Sequence, residues 1–290
     1  MDKPIVAFQG ERGANSEDAV VRYFGDVEVL PCPTLRDVFQ AVEQKRADYA
    51  LVPAENSHAG TIVDTYDLLL TSNLEVFGET DLPVRHSLQA LPGQKLSDIR
   101  QVFSHPQALA QCSHFLSNLG VETIAVYDTA GSAKMVAEKS LRHAAAIASV
   151  RAASIYGLEV LQENIQNTDD NVTKFYAIRP VQGDDGWLRK PEESGPSEGP
   201  EHLQTSAGEP RTVLVLGTEH RPAALYWCLG ALAYRNINLV KLESRPSRRK
   251  QWEYVFYLVL AAHVEEENCQ KALEDLKTKT TLLRVLGSYR

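Results

Sequence analysis

The feature that most constrains the fold of this chain is a regular alternation of short apolar runs with amphipathic stretches of helical period, which extends over residues 4–180. Such alternation is typical of strands and helices that stack in layers, and it predicts an α/β domain. The predicted strands are residues 5–8, 49–53, 101–103, 123–127, 144–148 and 176–178, and the predicted helices are residues 16–24, 35–43, 63–70, 106–119, 132–138 and 150–156. A region of roughly 175 residues is long enough for two lobes.

The alternation stops at residues 181–210, where Gly, Pro, Ser and Glu dominate. This composition is typical of a flexible linker. The predicted elements after it are, in order, strand 211–217, helix 223–234, strands 239–244 and 254–261, helix 265–277 and strand 282–286. The order β-α-β-β-α-β is the ferredoxin-like arrangement. We therefore expect a two-lobed domain at 1–180, a linker at 181–210 and a second domain at 211–290.

Composition and charge exclude several classes of protein. The chain is 43% apolar and 23% charged, with no apolar run that could span a bilayer, so we expect no membrane partner. The net charge is −8 with cations and anions intermixed, which argues against nucleic acid. The first residues enter a predicted strand without a secretion signal, which predicts the cytoplasm. The four cysteines are Cys32, Cys112, Cys228 and Cys269, and they form no C-x-x-C pair.

We predict neither a metal nor a nucleotide cofactor. The segment Gly10-Glu11-Arg12-Gly13 follows the first predicted strand but matches neither the G-x-G-x-x-G nor the P-loop pattern. We also expect no nucleophile elbow, because the one G-x-S-x-G match, Gly195-Pro196-Ser197-Glu198-Gly199, lies in the Gly/Pro/Ser-rich stretch and not between a predicted strand and a helix. The histidines, none of which is spaced from another like a pair of metal ligands, include His58, His86, His105, His114 and His143.

Four polar segments form the candidate ligand site. Three of them lie where a predicted strand gives way to a helix, and the fourth precedes the strand at 176–178. They are residues 53–61, 104–107, 128–133 and 170–175. In an α/β domain, ligands bind beyond the carboxyl ends of the strands, and free backbone amides at helix starts favour anions. Each segment alone is compatible with an ordinary helix cap. Together they predict a cleft for a small carboxylate.

Read together, these segments resemble prephenate dehydratase over nearly the whole chain apart from the linker. The matching stretches are residues 52–57 with Gly60, 66–69, 104–112, 128–135 and 171–175. The second domain resembles the ACT regulatory module of that family, because Asn238-Leu239 and the run from Glu243 to Pro246 match its phenylalanine-binding signature.

The resemblance implies two lobes of the periplasmic-binding-protein type around a catalytic cleft. It also implies the conversion of prephenate to phenylpyruvate, water and carbon dioxide without a cofactor. The implied assembly is a homotetramer, a dimer of dimers, that is inhibited by L-phenylalanine. The loop Gln9-Gly10 with Gly13-Ala14 and Ser16-Glu17 is similar to the branch that includes the plant arogenate dehydratases, so arogenate remains an alternative substrate.

The resemblance also assigns roles to residues. Thr173 is the residue nearest the leaving hydroxyl, as a donor or proton relay. The residues expected to surround the substrate with it are Asn56, Ser57, Ser104, Gln111, Thr129, Ser132, Lys174 and Phe175. The residues expected to bind phenylalanine are Ala223, Ala224, Leu225, Asn238, Leu239, Glu243, Ser244, Arg245 and Pro246.

Two residues depart from the family pattern. Lys174 stands where the family usually has arginine, and a lysine cannot grip a carboxylate with a planar pair of donors. Ala223 stands where the regulatory motif usually has glycine. In the family this part of the backbone lies close to the bound phenylalanine, so the extra methyl group would crowd that ligand. We therefore expect weaker substrate binding and weaker phenylalanine binding.

A second hypothesis comes from a different class of protein. A two-lobed α/β domain also serves small-molecule binding proteins that perform no chemistry. A hydroxyl beside a cation, as Thr173 and Lys174 suggest, is a feature that a pure binding protein would not need. Product formation from prephenate or arogenate distinguishes the enzymes from the binder.

Overall fold

The computed structural model describes residues 3–181, 208–246 and 254–290. The helices are α1 Asn15–Phe24, α2 Leu35–Glu43, α3 Val63–Thr71, α4 Pro106–Gln111, α5 Ser113–Leu119, α6 Thr129–Glu138, α7 Val150–Tyr156, α8 Ala224–Ala233 and α9 Glu267–Lys279. The strands are β1 Ile5–Gln9, β2 Glu28–Cys32, β3 Tyr49–Asn56, β4 Gly60–Thr61, β5 Leu74–Pro83, β6 Ser87–Ala90, β7 Gln101–Ser104, β8 Glu122–Ala125, β9 Ala144–Ala148, β10 Glu159–Gln162, β11 Val172–Pro180, β12 Arg211–Gly217, β13 Leu239–Pro246, β14 Tyr254–Leu260 and β15 Leu282–Tyr289.

The chain divides into two compact units. The first comprises Met1–Thr65 and Thr80–Tyr176, and the second comprises Tyr66–Glu79 and Ala177–Arg290. Most of the predicted linker, residues 182–207, lies outside the described residues. None of the helices in the described ranges is both long enough and apolar enough to cross a bilayer.

The first lobe of the first unit is built on parallel strands. β1 pairs in parallel with both β2 and β3, and β11 follows β3 in the sheet. The centre of β1, Val6-Ala7-Phe8, is fully buried, as expected for a strand covered on both faces. One covering helix, α2, begins at a capping box between Thr34 and Asp37 and buries its apolar face. Parallel pairing brings the carboxyl ends of β1 and β3 to one edge.

The second lobe carries a five-stranded sheet in the order β10-β6-β9-β7-β8. β9 is the continuously buried run Ala-Ala-Ala-Ile-Ala at the centre of this sheet, and β7 is parallel to both β9 and β8. The small side chains of β9 let helix α6 pack closely on the sheet. Leu88, Val102, Leu116 and Ile147 belong to the core of this lobe. Ser104 and Ala148 therefore end neighbouring strands at one edge.

The second unit contains the β-α-β-β-α-β arrangement that the sequence predicts. Its antiparallel strands lie in the order β13-β14-β12-β15, with Leu216, Leu258 and Leu273 in a core beneath α8 and α9. Helix α3 and the start of β5 belong to the same unit. The Arg284 guanidinium donates to the carbonyls of Leu70 and Ser72 at the end of α3, at 2.5 and 2.6 Å.

The predicted two-lobed α/β domain and the β-α-β-β-α-β fold are confirmed. The predicted helix 106–119 is instead two helices, because Cys112 leaves the helical region at φ −112° and ψ 15°. The missed strands are β2, β4, β5, β6 and β10. β6 escaped detection because it buries two polar side chains, Ser87 and Gln89, whose Oγ and Nε2 donate hydrogen bonds inside the protein.

Gly287 gives the first testable prediction. A Cβ at this position would lie 2.0 Å from the carbonyl oxygen of Val76 on β5, so Gly287→Ala must push β15 away from β5. We expect a loss of at least about 2 kcal/mol in the free energy of unfolding. Gly230→Ala is the matched control, because its Cβ would make only an ordinary contact with Tyr234 inside α8, and helix propensity favours alanine by up to about 1 kcal/mol. Equal stabilities of the two variants in urea unfolding would contradict this account.

Candidate functional site

The Asn56 carboxamide at the end of β3 joins two distant segments of the chain. Asn56 is only 8% exposed. Its Nδ2 donates to Asn171 Oδ1 at 2.7 Å and to Thr173 Oγ1 at 2.9 Å. Its Oδ1 accepts the backbone N–H groups of His58 and Ala59, at 3.0 and 2.9 Å. Because both ends of the amide are occupied, Asn56 holds its neighbours in place instead of contacting a ligand as a free donor.

Thr173 lies on β11 with its side chain partly buried. A hydroxyl oxygen that accepts a hydrogen bond directs its own hydrogen elsewhere. The Thr173 oxygen accepts from Asn56, and within the described ranges no acceptor takes the Thr173 hydrogen. The hydroxyl is therefore oriented and available to donate to a ligand.

Ser57 connects β3 to β11 through three hydrogen bonds. Its hydroxyl donates to the Asp170 carbonyl at 2.9 Å and accepts the Val172 N–H at 3.0 Å. Its own N–H donates to the Val172 carbonyl at 2.9 Å. The hydroxyl hydrogen is thus already used, and Ser57 shapes the loop beside Thr173.

A cavity of about 360 Å³ opens beside these residues. This volume suits a small ligand. Its walls come from the loop after β3, from α4 of the second lobe and from the segment before β11. The lining residues are His58, Ala59, Gln107, Ala110, Gln111, Gln166, Asn167, Thr168 and Asn171. Five of them carry amides, and none is Lys, Arg, Asp or Glu, so the cavity presents mainly amide hydrogen-bonding groups to a ligand. The exception is His58, whose Nε2 lies 3.1 Å from Asp170 Oδ1.

His86, just before β6, contacts one of the cavity amides. Its Nε2 lies 2.8 Å from Gln111 Oε1, and the residue is 3% exposed. Burial lowers the pKa of His86, and the hydrogen bond to Gln111 opposes this shift. The imidazole is therefore held in its neutral form.

Of the nine residues predicted to surround the substrate, only Gln111 lines the cavity. Ser104, Thr129 and Ser132 are among those that do not. The buried Ser104 hydroxyl donates to the Ile147 carbonyl at 2.7 Å, and the Ser132 hydroxyl donates to the Thr129 carbonyl at 2.5 Å. Thr129 is the first residue of α6, whose N-terminus is capped by Asp128. Burial raises the pKa of the Asp128 carboxyl, against the hydrogen bond from the Gly131 N–H. This geometry does not support Ser104 or Ser132 as donors to a ligand.

The structure does not place the Lys174 cation beside the Thr173 hydroxyl, as the sequence had predicted. Successive residues of a strand point to opposite faces, so the Lys174 side chain leaves β11 on the face away from Thr173. Its Nζ lies 3.1 Å from Asp81 Oδ1. Phe175, predicted to complete the substrate site, is buried in the core.

The structure brings further residues to the site. His58, Gln107 and Asn171 lie in the predicted polar segments but were not among the residues expected to surround the substrate, and His86, Gln166, Asn167 and Thr168 were not predicted as part of the site. Asn171 lies within the recognised motif 171–175, and Gln166 and Asn167 belong to a polar run that could have signalled the site. No signal could have found His86, because a lone histidine on an apolar stretch gives no indication of its partner.

The second unit has a cavity of its own, of about 240 Å³. Ala223, Ala224 and Leu225 line it together with residues of the β12–α8 loop and with Tyr254 and Phe256 of β14. Ala223 adopts φ 62°, in the left-handed region. The segments 238–239 and 243–246 lie at opposite ends of β13. Only the second is near this cavity, because its Pro246 pairs with Tyr254 of β14. The predicted phenylalanine residues are therefore only partly brought together within this chain.

Comparisons with known proteins agree on one family. The model of the family described as "Prephenate dehydratase" matches residues 6–182. "Arogenate dehydratase/prephenate dehydratase 2, chloroplastic" of Arabidopsis thaliana is 42% identical, over 98% of this chain and 72% of that protein. Two solved structures are also similar: a prephenate dehydratase in complex with L-Phe from Arthrobacter aurescens (29% identity, TM-score 0.83, 98% and 89% of the chains covered) and "GqqA- a novel type of quorum quenching acylases" (33%, 0.86, 98% and 97%).

Asn56→Asp tests the role of the Asn56 amide in holding the site. A carboxylate cannot donate, so the oxygens of Asn171 and Thr173 would lose their shared donor and face a negative charge. We expect a loss of about 2 kcal/mol in the free energy of unfolding. Asn118→Asp on the exposed surface of α5 is the control and should cost less than about 0.5 kcal/mol. Equal urea midpoints for the two variants would show that the amide is not a structural connection.

Proposed function

Because the chain belongs to the prephenate dehydratase family, we propose that it is a lyase that removes the ring hydroxyl and the ring carboxylate of prephenate together, giving phenylpyruvate. The observation that carries this proposal is the Thr173 hydroxyl. Its oxygen accepts from Asn56, and Asn56 in turn donates to Asn171 on the cavity wall. Thr173 is not itself among the lining residues, but a single amide fixes its hydroxyl relative to Asn171, which does line the cavity.

The reaction requires little of the protein beyond positioning and hydrogen bonding. As carbon dioxide leaves, the electron pair of the ring–carboxylate bond moves into the ring, and the ring–oxygen bond breaks with its pair on oxygen. The departing oxygen takes up one proton to give water, and the product ring is aromatic. Because an alcohol is a weak acid, Thr173 stabilises the departing oxygen as a donor and the proton comes from solvent.

Arogenate is a second candidate, favoured by the charge of the cavity. Prephenate is a dianion, whereas arogenate carries an ammonium group that reduces its net negative charge. None of the described lining residues is Lys or Arg, and Lys174 pairs with Asp81 instead. A less anionic substrate loses less solvation on entering such a site. The Arabidopsis relative is named for both activities.

One similar solved structure is named as an acylase, but we do not propose acyl transfer for this protein. Acyl transfer needs an activated nucleophile beside a base. Here the Ser57 hydroxyl donates to a backbone carbonyl, and Thr173 receives its hydrogen bond from an amide that has no basic character. His58 pairs with the Asp170 carboxylate at 3.1 Å, but among the described residues no hydrogen bond joins its ring to the hydroxyl of Ser57 or Thr173, so neither hydroxyl has the base that a nucleophile needs.

Feedback inhibition by L-phenylalanine is part of the proposal. The cavity at Ala223–Leu225 supports it, as does the Arthrobacter structure, which is titled as a complex with L-Phe. The ligand would bind where this cavity meets residues Glu243–Pro246 of a neighbouring subunit. A site shared by two subunits would explain why the predicted residues lie at opposite ends of β13 within one chain.

We also propose a homotetramer in the cytoplasm. Helix α8 has no charged residue, and its Tyr226 and the Tyr234 that follows it are 62% and 79% exposed. A helix that is apolar on all sides is normally buried, here by a second copy of the chain. A monomer in light scattering would contradict this assembly. The cytoplasm is supported by the four cysteines, which are all unpaired and buried.

Thr173→Val tests the proposed reaction, because it keeps the shape of the side chain and removes the donor. We expect kcat to fall about 100-fold or more on whichever of prephenate and arogenate the wild type converts. Thr173→Ser, which restores the hydroxyl, should remain within about tenfold of wild type. Formation of phenylpyruvate or phenylalanine is the measurement, with circular dichroism as the check on folding.

Two outcomes would contradict the proposal. Full turnover by a folded Thr173→Val variant would remove Thr173 from the mechanism. Binding of both compounds by the wild type without product would instead favour the non-catalytic binder. The ratio of kcat/KM values for the two substrates decides between prephenate and arogenate.

Ala223→Gly tests the regulatory site. The left-handed conformation costs alanine about 1 kcal/mol that glycine does not incur, and the methyl group occupies the cavity wall. We expect the variant to bind L-phenylalanine at least threefold more tightly in calorimetry. Ala233→Gly, at the end of α8 and outside the cavity lining, is the control, because it removes a methyl group from the same helix and should not gain affinity. An absence of heat from both wild type and Ala223→Gly at millimolar phenylalanine would count against the site.

A further inference from the structure

His86 makes two hydrogen bonds to amides that line the cavity of the first unit. Its Nε2 lies 2.8 Å from Gln111 Oε1, and its backbone N–H donates to Gln166 Oε1 at 3.1 Å. Gln111 comes from α4, and Gln166 comes from the segment before β11. One buried residue thus contacts the carbonyl ends of side chains from two separate parts of the wall.

The orientation of Gln166 follows from the chemistry of its partners. Its Nε2 donates to Asp169 Oδ1 at 2.9 Å, and an ionised carboxylate can only accept. Its Oε1 accepts the His86 backbone N–H, which can only donate. Both ends of the amide are therefore assigned without ambiguity.

The orientation of Gln111 depends on where the His86 proton lies. His86 Nδ1 is buried and has no hydrogen-bond partner among the described residues. Unpaired buried N–H groups are rare because they cost more than an unpaired lone pair. The proton of the neutral imidazole therefore lies on Nε2 and is donated to Gln111 Oε1. This leaves the Gln111 NH₂ group directed to the cavity.

We propose that His86 is a positioning residue, which holds the Gln111 carboxamide so that its NH₂ group, and not its oxygen, faces a carboxylate of the substrate. This inference rests on the proposed function, because it concerns how that substrate is bound. A rotated Gln111 would place a carbonyl oxygen against the carboxylate. No described lining residue is Lys or Arg, so amide N–H donors must bind the carboxylate. The orientation of each amide then decides whether it attracts or repels that carboxylate.

A double-mutant cycle tests this role. His86→Leu removes the donor, and we expect kcat/KM to fall about 30-fold, mostly through KM, because the carboxylate loses an oriented partner. If His86 acts through Gln111, the double variant His86→Leu/Gln111→Ala should lie within threefold of Gln111→Ala alone. Independent, multiplying losses from the two changes would overturn the inference.

Conservative variants separate positioning from a merely structural role. His86→Gln can place an NH₂ donor near the position of Nε2, so it should recover most of kcat/KM. His86→Asn is shorter, cannot reach Gln111, and should behave like His86→Leu. This pair also decides the question if His86→Leu fails to fold. Equal losses in the Gln and Asn variants, with circular dichroism unchanged, would overturn the inference.

The proposed function and this inference fail in different ways. A folded wild type that converts neither prephenate nor arogenate overturns both. A wild type that converts either substrate, with a His86→Leu variant of unchanged kcat/KM, overturns the positioning role alone.

Discussion

The site depends on the hydrogen bonds of one buried amide. Asn56 ends a parallel strand, and its Nδ2 reaches Asn171 and Thr173, which are 115 and 117 residues further along the chain. Because its oxygen also fixes the loop that begins at His58, the amide determines where the cavity wall begins and which way the Thr173 hydroxyl points. The chemistry assigned to Thr173 is therefore a consequence of a satisfied hydrogen-bond network.

The second organising constraint is charge. Amides make up most of the cavity lining, which contains no Lys, Arg, Asp or Glu, and burial lowers the pKa of the His86 imidazole behind it. Lys174 is the cation nearest in sequence to Thr173, yet it lies on the other face of β11 and pairs with Asp81. A site of this kind depends on the orientation of its amides, because a carboxamide attracts a carboxylate with one end and repels it with the other. The orientation of the Gln111 amide therefore bears on how strongly a substrate carboxylate is bound, and so on the choice between prephenate and arogenate.

The fold was largely predictable from the sequence because its two signals are local. The alternation of strands and helices reports burial, and the β-α-β-β-α-β order follows from the run of elements after residue 210. The strands that escaped detection, such as β6, bury polar side chains whose partners come from elsewhere in the chain. Sequence distance hides such partners, since the Ser87 hydroxyl donates to Ala148.

The sequence by itself determined the family and the two-lobed architecture, and it predicted Asn56, Gln111 and Thr173 as site residues, because these are carried by short contiguous motifs. Only the tertiary structure decided which polar groups remain free for a ligand. Ser104 and Ser132 donate to backbone carbonyls, Lys174 is turned away by the alternation of a strand, and His86 joins the site from an apolar stretch. The physical reason is that a side chain's availability depends on its hydrogen-bond partners, and these come from segments that meet only in the folded chain.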